Sequence, residues 1–402
     1  MGVQRTPEIA VVGGGPSGLV TAIAVASAGL ETVLFAPEPA KADRRTTALL
    51  DGSVRILKSL AIWPMLEAEA APLERLRIVD ATQRLIRAPE VTFSASELGL
   101  EAFGQNIENE TLRRALRTSA DHTAGLRIVG DAVDMVIPED ASVLLCAGGR
   151  EERVSLVIAA DGRQSVCRRA AGIGTAATQL PQTAIVVNLR HSRAHGNFST
   201  EFHTKSGPFT LVPLAGNRSS LVWVVTPHEA DALLRLGDDD LADEIERRAH
   251  SILGGMEIEG ERASFPLAID LAQPLAARRI ALVGEAGHLL PPIGAQGLNL
   301  GIRDAATIAE IATDARRLGR DPGDSEVMQT YEARRRPDIR GRALAVDWMN
   351  RTLLTDLLPA QAVRGLGLEL ASRFSFLRRA LMREGLGPRE ENAPRLSRGE
   401  AI

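Results

Sequence analysis

Residues 9–35 read IAVVGGGPSGLVTAIAVASAGLETVLF, and the fold is decided there. Ile9–Val12 is an uncharged apolar run of the length of a buried strand. It runs directly into Gly13-Gly14-Gly15-Pro16-Ser17-Gly18, a G-x-G-x-x-G with Gly13, Gly15 and Gly18 in the required places. Leu19–Ala28 is Ala-rich and helical, Gly29 suits its C-terminal cap, and Thr32–Phe35 supplies a second strand. The glycines have separate duties: Gly13 permits the tight turn, Gly15 lets backbone approach a pyrophosphate, and Gly18 lets helix and strand pack closely. A strand–loop–helix–strand unit of this kind predicts a dinucleotide site. The acidic residue that often ends the second strand and takes the ribose hydroxyls is missing, since Ala36 stands there. Glu38, two residues on, either substitutes for it or is a solvated loop carboxylate.

A second informative stretch is Arg279–Ala312, RIALVGEAGHLLPPIGAQGLNLGIRDAATIAEIA. A short strand at Ile280–Val283 breaks at Gly284, passes through Pro291, Pro292, Gly294 and Gly297, and becomes helical from Leu298. Free N–H groups gather where a Gly- and Pro-rich loop opens a helix, and such a terminus holds an anion or an electron-rich ring edge. Alone, the stretch reads equally as an ordinary connection. Between the two lies Ala160-Asp161-Gly162-Arg163-Gln164-Ser165, where Asp161 either accepts from a ligand or caps the Ser165–Ala171 helix.

Around these landmarks, the spacing predicts helices over Ser53–Leu60 and Glu110–Thr123, and strands over Arg127–Val136, Ser142–Ala147 and Arg153–Ala159. Short strands are expected between Leu76 and Phe93. Thr183–Leu189, Phe198–His203, Phe209–Pro213 and Ser219–Thr226 read as successive antiparallel strands, followed by helices Glu229–Arg235 and Asp239–Leu253. Further helices are expected beyond Arg340, broken at Pro359, Gly365 and Gly367. His191, His195 and His203 fall on strands and their connections, where an i, i+4 pair does not converge, so no metal site is expected.

The 402 residues suffice for two or three structural units, and 45% apolar with 24% charged residues is ordinary for a globular chain. A formal charge of −4 gives no reason to expect nucleic acid, although Arg334–Arg336 and Arg373–Arg383 are locally basic. Cys146 and Cys167 form no CxxC, which fits a reducing, cytoplasmic setting. Ile9–Leu30 is uncharged and long enough to span a bilayer, but its glycines and Pro16 argue against a lipid-facing helix.

Taken in order, GGGPSG, ADGRQS and GEAGHLLPPIGAQGLNLG resemble the three-motif pattern of the single-component FAD-dependent aromatic hydroxylases. The branch that hydroxylates prenylated phenols in ubiquinone biosynthesis is the nearer likeness. It is carried by Arg45-Thr46-Thr47-Ala48-Leu49, Ile107-Glu108-Asn109, Gly207-Pro208-Phe209, Leu211–Leu214, Gly294–Gly301 and Arg303-Asp304-Ala305-Ala306. The resemblance implies an α/β fold of the p-hydroxybenzoate hydroxylase type: a discontinuous Rossmann-like FAD-binding domain (1–75, 104–180 and 270–340). Inserted in it would be a mainly antiparallel substrate sheet (76–103 and 181–269), with a C-terminal helical region (341–402) behind.

It further implies FAD as cofactor and NAD(P)H as transient co-substrate, with O2 delivered to an aromatic ring through a flavin C4a-hydroperoxide. Gly13, Gly15, Pro16, Ser17 and Gly18 would seat the pyrophosphate, with Arg45 and Gln105 contacting FAD from adjoining loops. Asp161 would serve the second motif, and Gly284 and Glu285 the third, where Glu replaces the usual Asp and Gly287 the usual Ala. Pro292, Gly294, Gln296, Gly297, Leu298 and Asn299 would line the flavin ring. His288 is either a site residue or a packed one, and no residue stands out as a base for the phenol. A small soluble aromatic substrate, or an assembly subunit that binds FAD without turnover, are the alternatives. Ala360–Leu386, with Leu366, Leu370, Phe374, Leu377 and Leu381 among Arg364, Arg373, Arg378, Arg379 and Arg383, is a basic amphipathic stretch. It lies either on the inner face of a membrane, on a partner enzyme, or against its own protein.

Overall fold

Ile9–Val12 takes an inner place in a six-stranded sheet ordered Ala276–Ala277, Ile280–Leu282, Leu156–Ala159, Ile9–Val12, Thr32–Phe35 and Leu126–Val129. All neighbours are parallel except the edge hairpin, whose turn is made by Arg278 and Arg279 in the left-handed region. Helices pack on the sheet, so its four inner strands are buried and mostly apolar, while the edge strand Leu126–Val129 is half-buried and carries Arg127. The computed structural model describes residues 7–38, 43, 45–82, 88–354, 367, 369–370, 373–387 and 392–402.

Two expected strands each divide between sheets. Arg127–Val136 breaks at Gly130-Asp131: Leu126–Val129 joins the parallel sheet, while Val133–Pro138 enters a three-stranded antiparallel sheet with Val143–Ala147 and Arg150–Val154. Arg153–Ala159 breaks at Ser155, whose N–H bonds to Glu8 O. An apolar pattern alone does not reveal a change of sheet within one extended run.

The third layer is an eight-stranded sheet ordered His288–Leu289, Met256–Gln273, Gly174–His191, Arg218–Val225, Pro208–Leu214, Phe198–His203, Arg75–Asp80 and Val91–Ser94. Phe202, Phe209, Leu221 and Trp223 form its core with helices Pro227–Leu234 and Asp238–Arg248. Thr226 starts the first of these helices in a capping box with Glu229. Met256–Gln273 is absent from the sequence expectations, because Glu257, Glu259, Glu261 and Arg262 disguise it. The structure pairs two of those charges with other elements: Glu259 accepts from Arg190 and Arg218, and Arg262 meets Asp238.

After the helix Gln296–Arg317, one 30-residue helix, Ser325–Leu354, runs through Pro337, so it starts well before the expected Arg340. Arg334–Arg336 is therefore not a basic surface patch. Arg334 binds Glu310, Arg335 binds Asp304 in the interior, and Arg336 meets Glu332. Arg44, Pro359, Arg364, Gly365 and Leu366 lie outside the described residues. The last long helix, Ser375–Leu386, buries Met382 against Val91, Phe93, Ala95 and Phe103 and pairs Arg378 with Glu97. No helix among the described residues is long and apolar enough to cross a membrane.

Candidate cofactor and active site

Three loops far apart in sequence meet at the C-terminal ends of the parallel strands, the usual ligand edge of such a sheet. Gly13 has φ +120°, and a side chain there would begin 2.2 Å from Ala160 O and 3.0 Å from Asp161 N. The first loop thus lies directly against the second. A Cβ on Gly18 would begin 2.0 Å from Gly13 O, which is the close helix–strand contact expected of that glycine. Gly15 differs: no protein atom lies within 4 Å of where its Cβ would be. Gly15 leaves a cradle for a ligand rather than packing against protein.

Ser17 joins the first loop to the third. Its Oγ lies 3.0 Å from the Cβ position of Gly284 and 2.4 Å from that of Gly301. Pro16 opens the Pro16–Ser27 helix at the position where a missing N–H costs nothing. Arg163 donates to Glu285 at 3.2 Å, linking the second and third loops, and both side chains are about half exposed. Asp161 is split in its duties. One oxygen accepts from Cys167 N at 3.2 Å, which caps the short Val166–Ala170 helix together with Ser165. The other oxygen is buried without a partner. Burial first, then the Asp161 carboxylate, push the neighbouring Cys167 thiol well up, so it is inert.

The Gly- and Pro-rich stretch before the Gln296–Arg317 helix has an unusual turn. Gly294 and Ala295 are both left-handed, with φ +67° and +55°, and the helix begins at Gln296. For Ala295 this conformation costs roughly 1–2 kcal/mol. Two side-chain amides of the same helix hold it: Gln296 Nε2 donates to Gly294 O at 2.8 Å, and Asn299 Nδ2 to Ala295 O at 2.6 Å. Asn299 also donates to Ala48 O and accepts from Leu50 N, both at 2.8 Å, behaving as a further strand along Thr46–Leu50. The Asn299 amide is therefore spent on protein, and what this residue offers outward is backbone. Around Gly297, as at Gly15, there is open space where a Cβ would stand.

On the far side, Arg45 forms a two-pronged pair with Asp43, and Asn109 holds the same carboxylate. Burial works to raise the Asp43 carboxyl, but the bonds from Arg45 and Asn109 outweigh it and keep it below its ordinary value. The Arg45 guanidinium also sits 6.0 Å from the Phe265 ring, bridging to the antiparallel sheet. A cavity of about 120 Å³ opens there between Arg45, Val186, Asn188 and Ala263. Gln105 lies on the strand Gly104–Glu108, paired with Leu49 next to the Asn299 contacts. Glu38 is exposed but flanked by Arg113 at 3.6 Å and Arg117 at 3.7 Å.

Behind the third loop lies a buried ionic network that the sequence did not disclose. Asp304 accepts from Gly284 N at 3.1 Å, His288 Nε2 at 2.6 Å and Arg335 at 2.7 Å. Arg335 continues to Asp338, which also takes Arg303 and Arg342. Arg342 reaches Gln296 Oε1 at 2.6 Å. Burial alone would raise Asp304 and Asp338, but the surrounding cations hold both below the usual carboxylate range. His288 is a packed residue of this network rather than an open one. His191, His195 and His203 are likewise occupied, by Arg193 O and Ser219, by Leu214 O, and by Glu201.

The profile of a protein family described as "FAD binding domain" matches residues 6–343. Ubiquinone hydroxylase UbiL of Rhodospirillum rubrum is 33% identical over 406 residues, covering 98% of this chain and 94% of that protein. The 3-demethoxyubiquinol 3-hydroxylase of Escherichia coli is 32% identical over 394 residues, covering 96% and 99%. Among solved structures, p-nitrophenol 4-monooxygenase PnpA of Pseudomonas putida superposes with a TM-score of 0.78 at 17% identity, covering 96% of this chain and all of that one. At that identity the likeness establishes the fold, α/β with an added antiparallel sheet, and no more.

Proposed function

The chain belongs to the FAD-binding-domain family and is an FAD-dependent monooxygenase, and from that premise we propose that it hydroxylates a polyprenyl phenol in ubiquinone formation. NAD(P)H is the electron source and O2 the oxygen source. The observation that carries the site is the meeting of Gly13, Ser17, Asp161, Gly284 and Gly301 at one sheet edge. The substrate class rests on full-length similarity to two hydroxylases of ubiquinone intermediates.

The residues fit the dinucleotide. Gly15 and Gly297 leave space that a side chain would fill, and Asp161 keeps a buried oxygen unpartnered. In this reading Gly13–Gly18 hold the pyrophosphate, Glu38 with Arg113 serves the ribose end, and Arg45 and Gln105 close the site from the side. Gly284 and Glu285 take the ribityl chain, and Pro292, Gly294, Gln296, Gly297 and Leu298 border the ring. FAD, when bound, supplies hydride acceptance and oxygen activation. The protein's part is to aim the unsatisfied N–H groups and positive end of the Gln296–Arg317 helix at developing negative charge, and to exclude water. No acid–base dyad is required for that.

The substrate's lipid tail gives meaning to the C-terminal face. Phe374, Phe376 and Leu381 are exposed, as are Leu344 and Trp348 on the preceding helix, with Arg373, Arg379 and Arg383 close in sequence. Met382 packs inward, so the helix uses one face for its own protein and offers the other to an anionic membrane surface.

The test is the visible spectrum of purified protein, then NAD(P)H oxidation and O2 uptake with a prenylated phenol and with soluble benzoates. Stimulation by the prenylated phenol is expected. Stimulation by benzoates alone overturns the substrate class, tight FAD without stimulated oxidation points to an assembly subunit, and failure to take up FAD overturns the whole reading. Sedimentation with anionic vesicles at low salt checks the membrane face, and absence of binding there disposes of it.

A further inference from the structure

Arg335, Asp338 and Arg342 stand at i, i+3 and i+7 on the Ser325–Leu354 helix, a spacing that lines them on one face. That face bonds through intermediaries to Gly284 and to Gly294, the two ends of the third loop. At one end, Arg335 holds Asp304, which holds Gly284 N. At the other, Arg342 donates to Gln296 Oε1, and Gln296 Nε2 donates to Gly294 O. Asp338 joins the two ends, accepting from Arg335 and Arg342 at 2.9 Å each. These side chains are about nine-tenths buried or more.

We propose that Arg342 is a positioning residue for the flavin-facing loop, acting through the Gln296 carboxamide to hold the left-handed Gly294–Ala295 turn. A carboxamide has two faces of opposite polarity, and a flip would point its oxygen at Gly294 O. Arg342, which can only donate, fixes the Gln296 oxygen toward itself and the NH2 toward the turn. Asp338 in turn fixes the guanidinium fork. The turn sets the direction in which the helix begins, and so the aim of its first N–H groups. Asn299 anchors the same turn to Thr46–Leu50, which leaves Arg342–Gln296 as the link to the Ser325–Leu354 helix.

The inference rests on the FAD ring lying before this helix, and the experiment separates the two ideas. Full-length protein is titrated with FAD, and its visible spectrum, FAD affinity and bound-flavin reduction potential are recorded for wild type, Arg342→Ala, Gln296→Leu and the double variant. Arg351→Ala, an exposed pair with Asp347 on the same helix, is the control. Both single variants are expected to shift the spectrum, move the potential to more negative values and weaken FAD roughly tenfold, with the double variant no worse than either. Arg351→Ala matches wild type. If Gln296→Leu behaves as wild type while Arg342→Ala does not, Arg342 acts by charge or folding and the proposal fails. It fails equally if the two effects add. Should Arg342→Ala not fold, Arg342→Lys, which keeps a charge but loses the guanidinium fork, takes its place in the same comparison. Wild-type protein that takes up no FAD overturns the functional reading instead.

Discussion

The carboxamide of Asn299 donates to the carbonyl of Ala48, 251 residues earlier, at 2.8 Å, and completes the pattern by accepting from Leu50 N. A helix side chain thereby serves as the missing neighbour of a strand edge. Asn299→Leu removes this link and leaves half-buried backbone groups of Ala48, Leu50 and Ala295 without that partner, for an expected loss of about 2 kcal/mol. Urea unfolding of the FAD-free protein measures it, and an unchanged midpoint would contradict the role.

The glycines of the first loop separate by consequence. Gly13→Ala places a Cβ 2.2 Å from Ala160 O at φ +120°, so the unliganded protein itself is expected to lose several kcal/mol or fail to fold. Gly15→Ala meets no protein atom and should melt like wild type, yet bind FAD at least tenfold more weakly. Thermal melts without FAD, alongside FAD titrations, distinguish the pair; similar melting loss in both would remove Gly15 from the ligand surface.

Glu285 and Arg163 are half exposed, and a pair of that kind contributes at most about 1 kcal/mol. Glu285→Ala should therefore leave stability almost unaltered while lowering FAD affinity roughly tenfold, and Glu285→Asp should retain most of it. Full FAD affinity in the alanine variant would place the ribityl contact elsewhere.

Acid sensitivity follows from Asp304 and Asp338. Both have folded-state pKa values depressed below the ordinary carboxylate value, despite burial, by the cations around them. The unfolded chain then binds more protons as pH falls through about 4, so their stabilisation is complete above that range and is lost below it. Each contributes a limiting slope of about 1.4 kcal/mol per pH unit. Unfolding free energies between pH 6 and 3 should show it, and Asp338→Asn should flatten the curve. A parallel curve for that variant would refute the assignment.

The first sheet and its ligand edge were legible because each signal is local: a strand, the required glycines and a helix lie within residues 9–35. Gly15 and Gly18 could be given different duties from spacing alone, and the structure gives them different surroundings. What sequence withheld depends on distant partners. The bonds of the Asn299 amide to Ala48 and Leu50 could not be foreseen, because nothing in its neighbourhood mentions that strand. Nothing around Arg342 in the sequence singles it out, because its partner Gln296 lies 46 residues away. Met256–Gln273 stayed hidden because its charges are neutralised by Arg190, Arg218 and Asp238 from other elements.

The order of the parallel sheet also dictates when the protein becomes competent. Ile280–Leu282 pairs directly with Leu156–Ala159, and the Gln296–Arg317 helix closes behind Ser17. Arg342 and the Ser375–Leu386 helix, which meet at Gly385 O, come later still. A ribosome that has finished the N-terminal nucleotide motif has therefore produced only one wall of the pocket. A chain released before Ile280 is made would leave the Leu156–Ala159 strand edge open to other strands and would lack the late loops of the proposed cofactor site.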